Sequence, residues 1–170
     1  MGMEISILDL IQKLRIPLGD RVMCMITKLG NAGAIWIVLA LVLLLIPKTR
    51  RSASILLAAL AVDVVLCNLL LKPLVARVRP FEVNTAVQLL VAKPQDFSFP
   101  SGHTAASFAS AAALYLAGEK KLWKPVLVLA VLIAFSRLYL YVHYPTDVLG
   151  SFAGYAGYRI MKRIWKQNVQ

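Results

Sequence analysis

The sequence predicts an all-α fold, a polytopic membrane helical bundle of about five transmembrane helices preceded by an amphipathic helix. Three observations carry this. Hydrophobic residues make up 59% of the 170 residues and charged residues only 16%, too apolar a balance for an ordinary soluble domain. The apolar residues gather into runs of membrane-spanning length. The basic residues, which give a net charge of +11, cluster at the ends of those runs. That placement fits phosphate-rich lipid surfaces and topology signals better than a nucleic-acid footprint, so no nucleic-acid partner is expected. The length suits one domain, residues 1–170, with an amphipathic segment over 1–30 and a helical core over 31–164.

The start, Met1–Leu14, contains Glu4 and Asp9 and lacks a basic leading region, so it does not read as a cleavable signal peptide. Over residues 4–15, Ile5, Leu8 and Ile11 share one side, with Ile7 and Leu14 near it. Glu4, Asp9, Gln12 and Lys13 lie towards the other. This predicts a short amphipathic helix, either in the membrane interface or packed on the bundle. Pro17-Leu18-Gly19-Asp20 breaks it, and Arg21–Gly30 leads into the first span. Gly33–Ile46 is almost purely apolar; with part of Met23–Leu29 it is long enough to cross a ~30 Å hydrocarbon core. Pro47-Lys48-Thr49-Arg50-Arg51 ends it.

Ala53–Leu71 is the second predicted span. It holds Asp63, read as a neutral or hydrogen-bonded structural group facing the bundle, and Asn68, one turn before Lys72 and placed to brace it. Phe81–Phe99 is a connector. Its apolar piece, Ala86–Ala92, suggests a border to a lipid entrance. Ala105–Leu116 is rich in Ala and Ser, which permits close helix approach. A charged turn, Gly118–Pro125, leads to a fourth span over Val126–Val142. A fifth, Val148–Tyr158, carries Gly150, Gly154 and Gly157, and the tail Arg159–Lys166 reads as an interfacial anchor. Cys24 and Cys67 lack any CxxC or Cys/His grouping and read as small buried hydrophobes.

Chemistry concentrates in three islands. Ser136-Arg137-Leu138-Tyr139-Leu140-Tyr141-Val142-His143-Tyr144-Pro145-Thr146-Asp147 carries a cation, a histidine and a carboxylate at the end of an apolar run. A terminal arginine offers a fork of donors suited to phosphate. His143 and Asp147 are four apart, so on a helical turn the carboxylate takes the imidazole N–H and leaves the other nitrogen free to attack. In Phe99-Pro100-Ser101-Gly102-His103, Ser101 is a plausible N-cap for the apolar run behind it, whose first amides would face an anion. In Lys72-Pro73-Leu74-Val75-Ala76-Arg77-Val78-Arg79-Pro80, Lys72 and Arg79 are two helical turns apart and can share a face. The chain has two histidines, His103 and His143, and each sits in one of these islands. Arg77 falls outside the pattern and reads as a solvated or headgroup-facing cation. Tyr139, Tyr141 and Tyr144 read as interfacial belt or packing.

Lys, six residues, Arg-Pro; then Pro-Ser-Gly-His; then Ser-Arg, five residues, His, three residues, Asp: in order and spacing, the three islands resemble the signature motifs of the type 2 phosphatidic acid phosphatase superfamily. The motifs span residues 72–147, and the hydrophobic organisation extends the likeness to most of the chain. The resemblance implies that His143 attacks phosphorus to form a phosphohistidine, oriented by Asp147. It implies that His103 protonates the leaving oxygen, and that Lys72, Arg79, Arg137, the Ser101 hydroxyl and the Gly102 amide hold the non-bridging oxygens. Fixed cations then stand where a metal would, and no cofactor is expected; the sequence offers no carboxylate cluster for Mg²⁺ and no Cys/His set for Zn²⁺.

The resemblance implies a membrane-borne lipid substrate: phosphatidic acid, phosphatidylglycerol phosphate or undecaprenyl pyrophosphate, the last two being what small bacterial members act on. Alternatives are a lipid-linked phosphotransferase and a non-catalytic lipid-phosphate-binding or transport protein. No obligatory protein partner is inferred. Independently of the motifs, five spans would put the cation-rich segments 47–52, 118–125 and the tail on one side. By the positive-inside rule that side is cytoplasmic, and the motifs then lie at the extracytoplasmic face of the cell membrane.

Overall fold

The structure, a computed structural model, describes residues 2–151. Among them there is no strand. The helices are α1 (Gly2–Lys13), α2 (Pro17–Leu29), α3 (Ala34–Leu45), α4 (Arg50–Asp63), α5 (Lys72–Val75), α6 (Pro80–Val83), α7 (Gly102–Ala117) and α8 (Trp123–Tyr139). A π-helical stretch, Val64–Leu71, carries α4 into α5. A further helix starts at 145 and runs through 151. Residues 152–170, with Gly154, Gly157 and the expected tail anchor, lie outside the described residues.

The boundaries follow from local chemistry. Pro17 opens α2 at a position where its missing N–H costs nothing. Ile46, before Pro47, is extended and ends α3. Gly118 takes φ +86° and caps α7 with its amide bonded back to the last turn.

The core is built around α7, which packs against α8, α4 and α3. Its Ala105, Ala106, Ser107, Ser110, Ala111, Ala112 and Ala113 are all buried, so the expected close approach through small residues is what the packing uses. Trp36, Leu56, Leu114 and Ile133 fill the space between the helices. The Trp36 indole N–H donates to Ser107 at 3.1 Å. Outward faces are apolar: Leu41, Leu45, Leu69, Leu70, Val128 and Val131 are all exposed. So large an unpartnered apolar surface suits lipid, not water.

The stretch Pro47–Val83 is long and apolar enough to cross a membrane. The first expected span is not one straight helix. Pro17–Leu29 and Asn31–Leu45 meet at a bend of 46°. The cause is Gly30-Asn31-Ala32-Gly33, where Ala32 and Gly33 take φ +50° and +68° and interrupt the α-helical ladder. α7 and α8, of 16 and 17 residues, rise roughly 25 Å each.

α1 packs on the bundle through Leu8, Ile5 and Ile11, and of its polar residues Glu4, Asp9 and Gln12 meet protein while Lys13 stays exposed. Gln12 donates to the carbonyl of Tyr139 at 2.9 Å, and Asp9 accepts from the Tyr141 hydroxyl at 2.7 Å. Ile7, Leu10 and Leu14 point outward. The polar side of the helix is therefore spent on the loop after α8.

Candidate active site

The first island does not converge by helical periodicity. α5 ends at Val75, Ala76 takes the left-handed conformation (φ +45°), and the chain from there to Arg79 is non-helical. This turn, not two turns of helix, folds Arg79 back towards Lys72. Both side chains are buried, and both reach the carboxylate of Asp96: Lys72 Nζ bonds Oδ2, and Arg79 Nη2 bonds Oδ1 at 2.6 Å. Arg79 also donates from Nε to the Asp96 carbonyl at 2.7 Å and from Nη1 to the Val142 carbonyl at 2.6 Å. Asp96 was not singled out in the sequence, because its connector has no periodicity. Its carboxyl is pulled down to about 2: burial opposes this, but Lys72 and Arg79 overcome it.

Arg77 is not a solvated cation. Its Nη1 donates to Asp147 Oδ1 at 2.6 Å and to Thr146 at 2.7 Å, and its Nη2 donates to Glu4 at 2.6 Å. The guanidinium lies 3.9 Å over the Tyr144 ring. It ties α1 to the third island. A lone arginine between two apolar residues gives no sign of this, since both partners are distant in sequence.

In the second island Gly102 and His103 open α7 and line a cavity. A Cβ at Gly102 would sit 3.3 Å from the Asn68 amide oxygen and 3.9 Å from Lys72 Nζ, so glycine keeps the ground beside that cation clear. Asn68 is near Lys72 as expected. Ser101 holds the N-cap position without a side-chain cap to an amide. Its buried hydroxyl accepts from Thr104 at 2.9 Å, and it does not line the cavity. His103 Nε2 lies 2.9 Å from Asn31 Oδ1, a partner supplied by the α2–α3 bend. A Cβ at Gly30 would come within 2.9 Å of the His103 ring, so the bend also has to be small to admit the imidazole.

In the third island Arg137 is in the last turn of α8, and His143 lies in the loop before the next helix. Arg137 Nη1 donates to the buried Thr27 hydroxyl at 2.5 Å, and Nε has no partner among the described residues. Thr27 was missed in the sequence for the same reason as Asn31: its partner is far along the chain. Tyr139, Tyr141 and Tyr144 are buried, so they pack the loop instead of forming an interfacial belt.

His143 and Asp147 do not share a helical turn. Tyr144 precedes the helix, Asp147 sits in its first turn, and Asp147 Oδ2 accepts the Tyr144 amide at 2.8 Å and the Ser98 hydroxyl at 2.5 Å. His143 Nδ1 faces the same oxygen at 3.5 Å, an approach too long for a hydrogen bond, and is otherwise unpartnered. His143 Nε2 lies 3.2 Å from Arg79 Nη1. An arginine can only donate, so Nε2 is the unprotonated nitrogen and the proton sits on Nδ1, facing Asp147. Burial, chiefly, lowers the His143 pKa to about 3; Asp147 opposes the shift, and Arg137 and Arg79 add to it. The ring is therefore neutral, with a lone pair on Nε2.

Lys72, Arg79, Arg137, His103 and His143 all line one cavity of about 680 Å³. Apolar side chains line it too, Ile37, Leu60, Val64 and Ala106 from the helices and Leu90, Val91 and Ala92 from the connector, along with the polar Thr27, Lys28, Asn31 and Asn68. Asp63 lines it as well; its carboxylate accepts from Cys67 at 3.1 Å, the hydrogen-bonded state expected of it. Cys24 and Cys67 are both free thiols.

A family profile described as the PAP2 superfamily matches residues 52–170, which contain all three islands. The chain belongs to the PAP2 superfamily. It is 31% identical over 152 residues to an undecaprenyl-diphosphatase of Sulfolobus acidocaldarius, covering 89% of this chain and 73% of that one. Among solved structures it resembles a transmembrane PAP2-type phosphatidylglycerolphosphate phosphatase from Bacillus subtilis (TM-score 0.75, 26% identity, 99% of this chain and 87% of that one). It resembles Aquifex aeolicus LpxE equally in fold (TM-score 0.75, 30% identity, 89% and 88%). This PAP2 chain is thus similar throughout its length to membrane phosphatases, and Lys72, Arg79, Gly102, His103, Arg137 and His143 of the three islands line the cavity, whereas Ser101 and Asp147 do not.

Proposed function

We propose that this PAP2 protein is an integral-membrane lipid phosphatase that hydrolyses a lipid phosphate monoester or pyrophosphate through a phosphohistidine. One observation carries the reading: a neutral imidazole with its free Nε2 against Arg79, on a cavity lined by Lys72, Arg79 and Arg137 together with apolar side chains. Such a cavity suits an amphiphile whose anionic head meets Lys72, Arg79 and Arg137.

In the proposed reaction His143 Nε2 forms a bond to phosphorus as the bond to the leaving oxygen breaks. His103, entering the step as imidazolium beside the bound phosphate dianion, gives that oxygen a proton and becomes neutral. Water then attacks the phosphohistidine, returning a proton to His103 and freeing inorganic phosphate and His143. The Asp147 carboxylate, facing the Nδ1 proton, stabilises the positive charge that the ring acquires. Lys72, Arg79, Arg137 and the Gly102 amide balance charge on the non-bridging oxygens, the main requirement of phosphoryl transfer. Ser101 acts in this scheme through the start of α7, which it precedes.

The relatives named above support undecaprenyl pyrophosphate and phosphatidylglycerol phosphate as the first substrates to try. Purified protein in detergent is expected to release inorganic phosphate from one or both without an added acceptor, and equally in EDTA, because the charge-balancing groups are side chains. Transfer that requires an acceptor would make the protein a phosphotransferase. Binding without release would make it a carrier. Loss of activity in EDTA restored by Mg²⁺ would refute the fixed-cation account.

The proposed topology has five spans in one domain, with the site at the extracytoplasmic face of the cell membrane. Cysteines placed at 48 and 95 are expected to label from opposite sides of sealed vesicles. Labelling of both from the same side would refute it.

A further inference from the structure

Two cations of the cradle already share one carboxylate from within the chain. Lys72 and Arg79 have side chains only 9% and 3% exposed, and both pair with the carboxylate of Asp96, which is 50% exposed. The contact resembles that of a bound oxyanion. One carboxylate oxygen meets the ammonium and the other a guanidinium N–H, while Arg79 Nε and Nη2 also donate to the backbone carbonyls of Asp96 and Phe97 at 2.7 and 3.3 Å. Arg137, on the same cavity, pairs with no carboxylate among the described residues. Asp96 stands on the irregular connector between α6 and α7, not on a helix of the bundle. The site thus has two rigidly held cations with a resident anion and one cation without.

We propose that Asp96 is an internal ligand of the phosphate subsite, which a substrate phosphate must displace from Lys72 and Arg79 and which competes with inorganic phosphate for them after hydrolysis. This rests on the reading of the site as a phosphatase cradle. The physical reason for such a residue is twofold. Two buried cations with no counter-ion would be costly and would repel one another. A cradle so charged would also hold phosphate, the small dianionic product, tightly enough to slow its release. A half-exposed carboxylate offsets the charge between turnovers and can turn to solvent when phosphate enters. The carboxyl group stays ionised across the working pH range, held so by the same two cations.

The test compares the full-length protein with Asp96→Asn, which keeps the shape and removes the charge. Orthovanadate and inorganic phosphate are titrated at constant ionic strength, read both by the rise in Tm and by competitive inhibition of lipid-phosphate hydrolysis. Each is expected to bind Asp96→Asn about tenfold more tightly, the scale of one charge-assisted pair. KM should fall with it while kcat does not rise, because product leaves more slowly. A residue that only braced the two arms would give the opposite split, weaker anion binding with a raised KM. Unchanged or weaker binding of both anions would overturn the proposal, and Asp96→Ser applies the same criterion if the asparagine variant does not fold. Tighter anion binding in the variant, with no phosphate release from any lipid by either protein, would keep the internal ligand and refute the phosphatase reading instead.

Discussion

His143→Ala is expected to abolish phosphate release, by roughly 10⁴-fold or more, and to abolish any covalent phosphoenzyme. The expectation follows from the tautomer. Arg79 forces the lone pair onto Nε2, and no other neutral nitrogen among the described residues is held in this way against the cations. His103→Ala should behave differently. Its Nε2 faces Asn31 and it has no carboxylate partner among the described residues, which accords with the proton-passing part proposed for it. Loss of about 10²–10⁴-fold is expected for lipid substrates with poor leaving groups, and much less for p-nitrophenyl phosphate, whose leaving group needs little protonation. Acid-quench trapping with labelled substrate decides between the two. Acid-labile label that persists in His143→Ala and is absent from His103→Ala would reverse the assignment.

The second large effect is expected at the Asp147–Arg77 pair. Asp147→Asn should lower kcat/KM by roughly 10²–10⁴-fold for every substrate, because the Nδ1 proton then faces no charge. Arg77→Ala should approach it, although Arg77 touches no reacting atom. Removing the arginine leaves a fully buried carboxylate without its cation, at a cost of about 3–5 kcal/mol, and releases Glu4 of α1 from the loop. Arg77→Lys should not restore function, since an ammonium cannot span Asp147, Thr146 and Glu4 while lying flat on Tyr144. Kinetics and thermal unfolding of the three variants in detergent check this. Wild-type turnover and an unchanged Tm in Arg77→Ala would show that the relay carries no function.

The two histidines illustrate how much was legible along the chain. Both were found from their motifs, and both line the cavity. Their partners were found only in part. Asp147 is near His143 because the two are close in sequence, but the helix begins between them, so the separation is 3.5 Å and not a helical hydrogen bond. Asn31, Thr27 and Asp96 lie 72, 110 and 24 or fewer residues from the side chains they hold, and no local pattern marks them. α1 shows the same limit. Its amphipathic periodicity was plain, yet Glu4, Asp9 and Gln12 face inward because the segment they meet offers polar partners.

The sequence by itself determined the helical class, the apolar stretches left exposed on the bundle, and the cations and histidines that gather on the cavity. These rest on composition, on period and on short motifs, all of which are local quantities. Only the tertiary structure decided which charge neutralises which. Asp96 on Lys72 and Arg79, and Arg77 between Glu4 and Asp147, are pairings across the chain. Their strength depends on distance and burial, and both are set only when a left-handed turn at Ala76, a bend at Gly30–Gly33 and an irregular connector bring remote segments to one wall of the cavity.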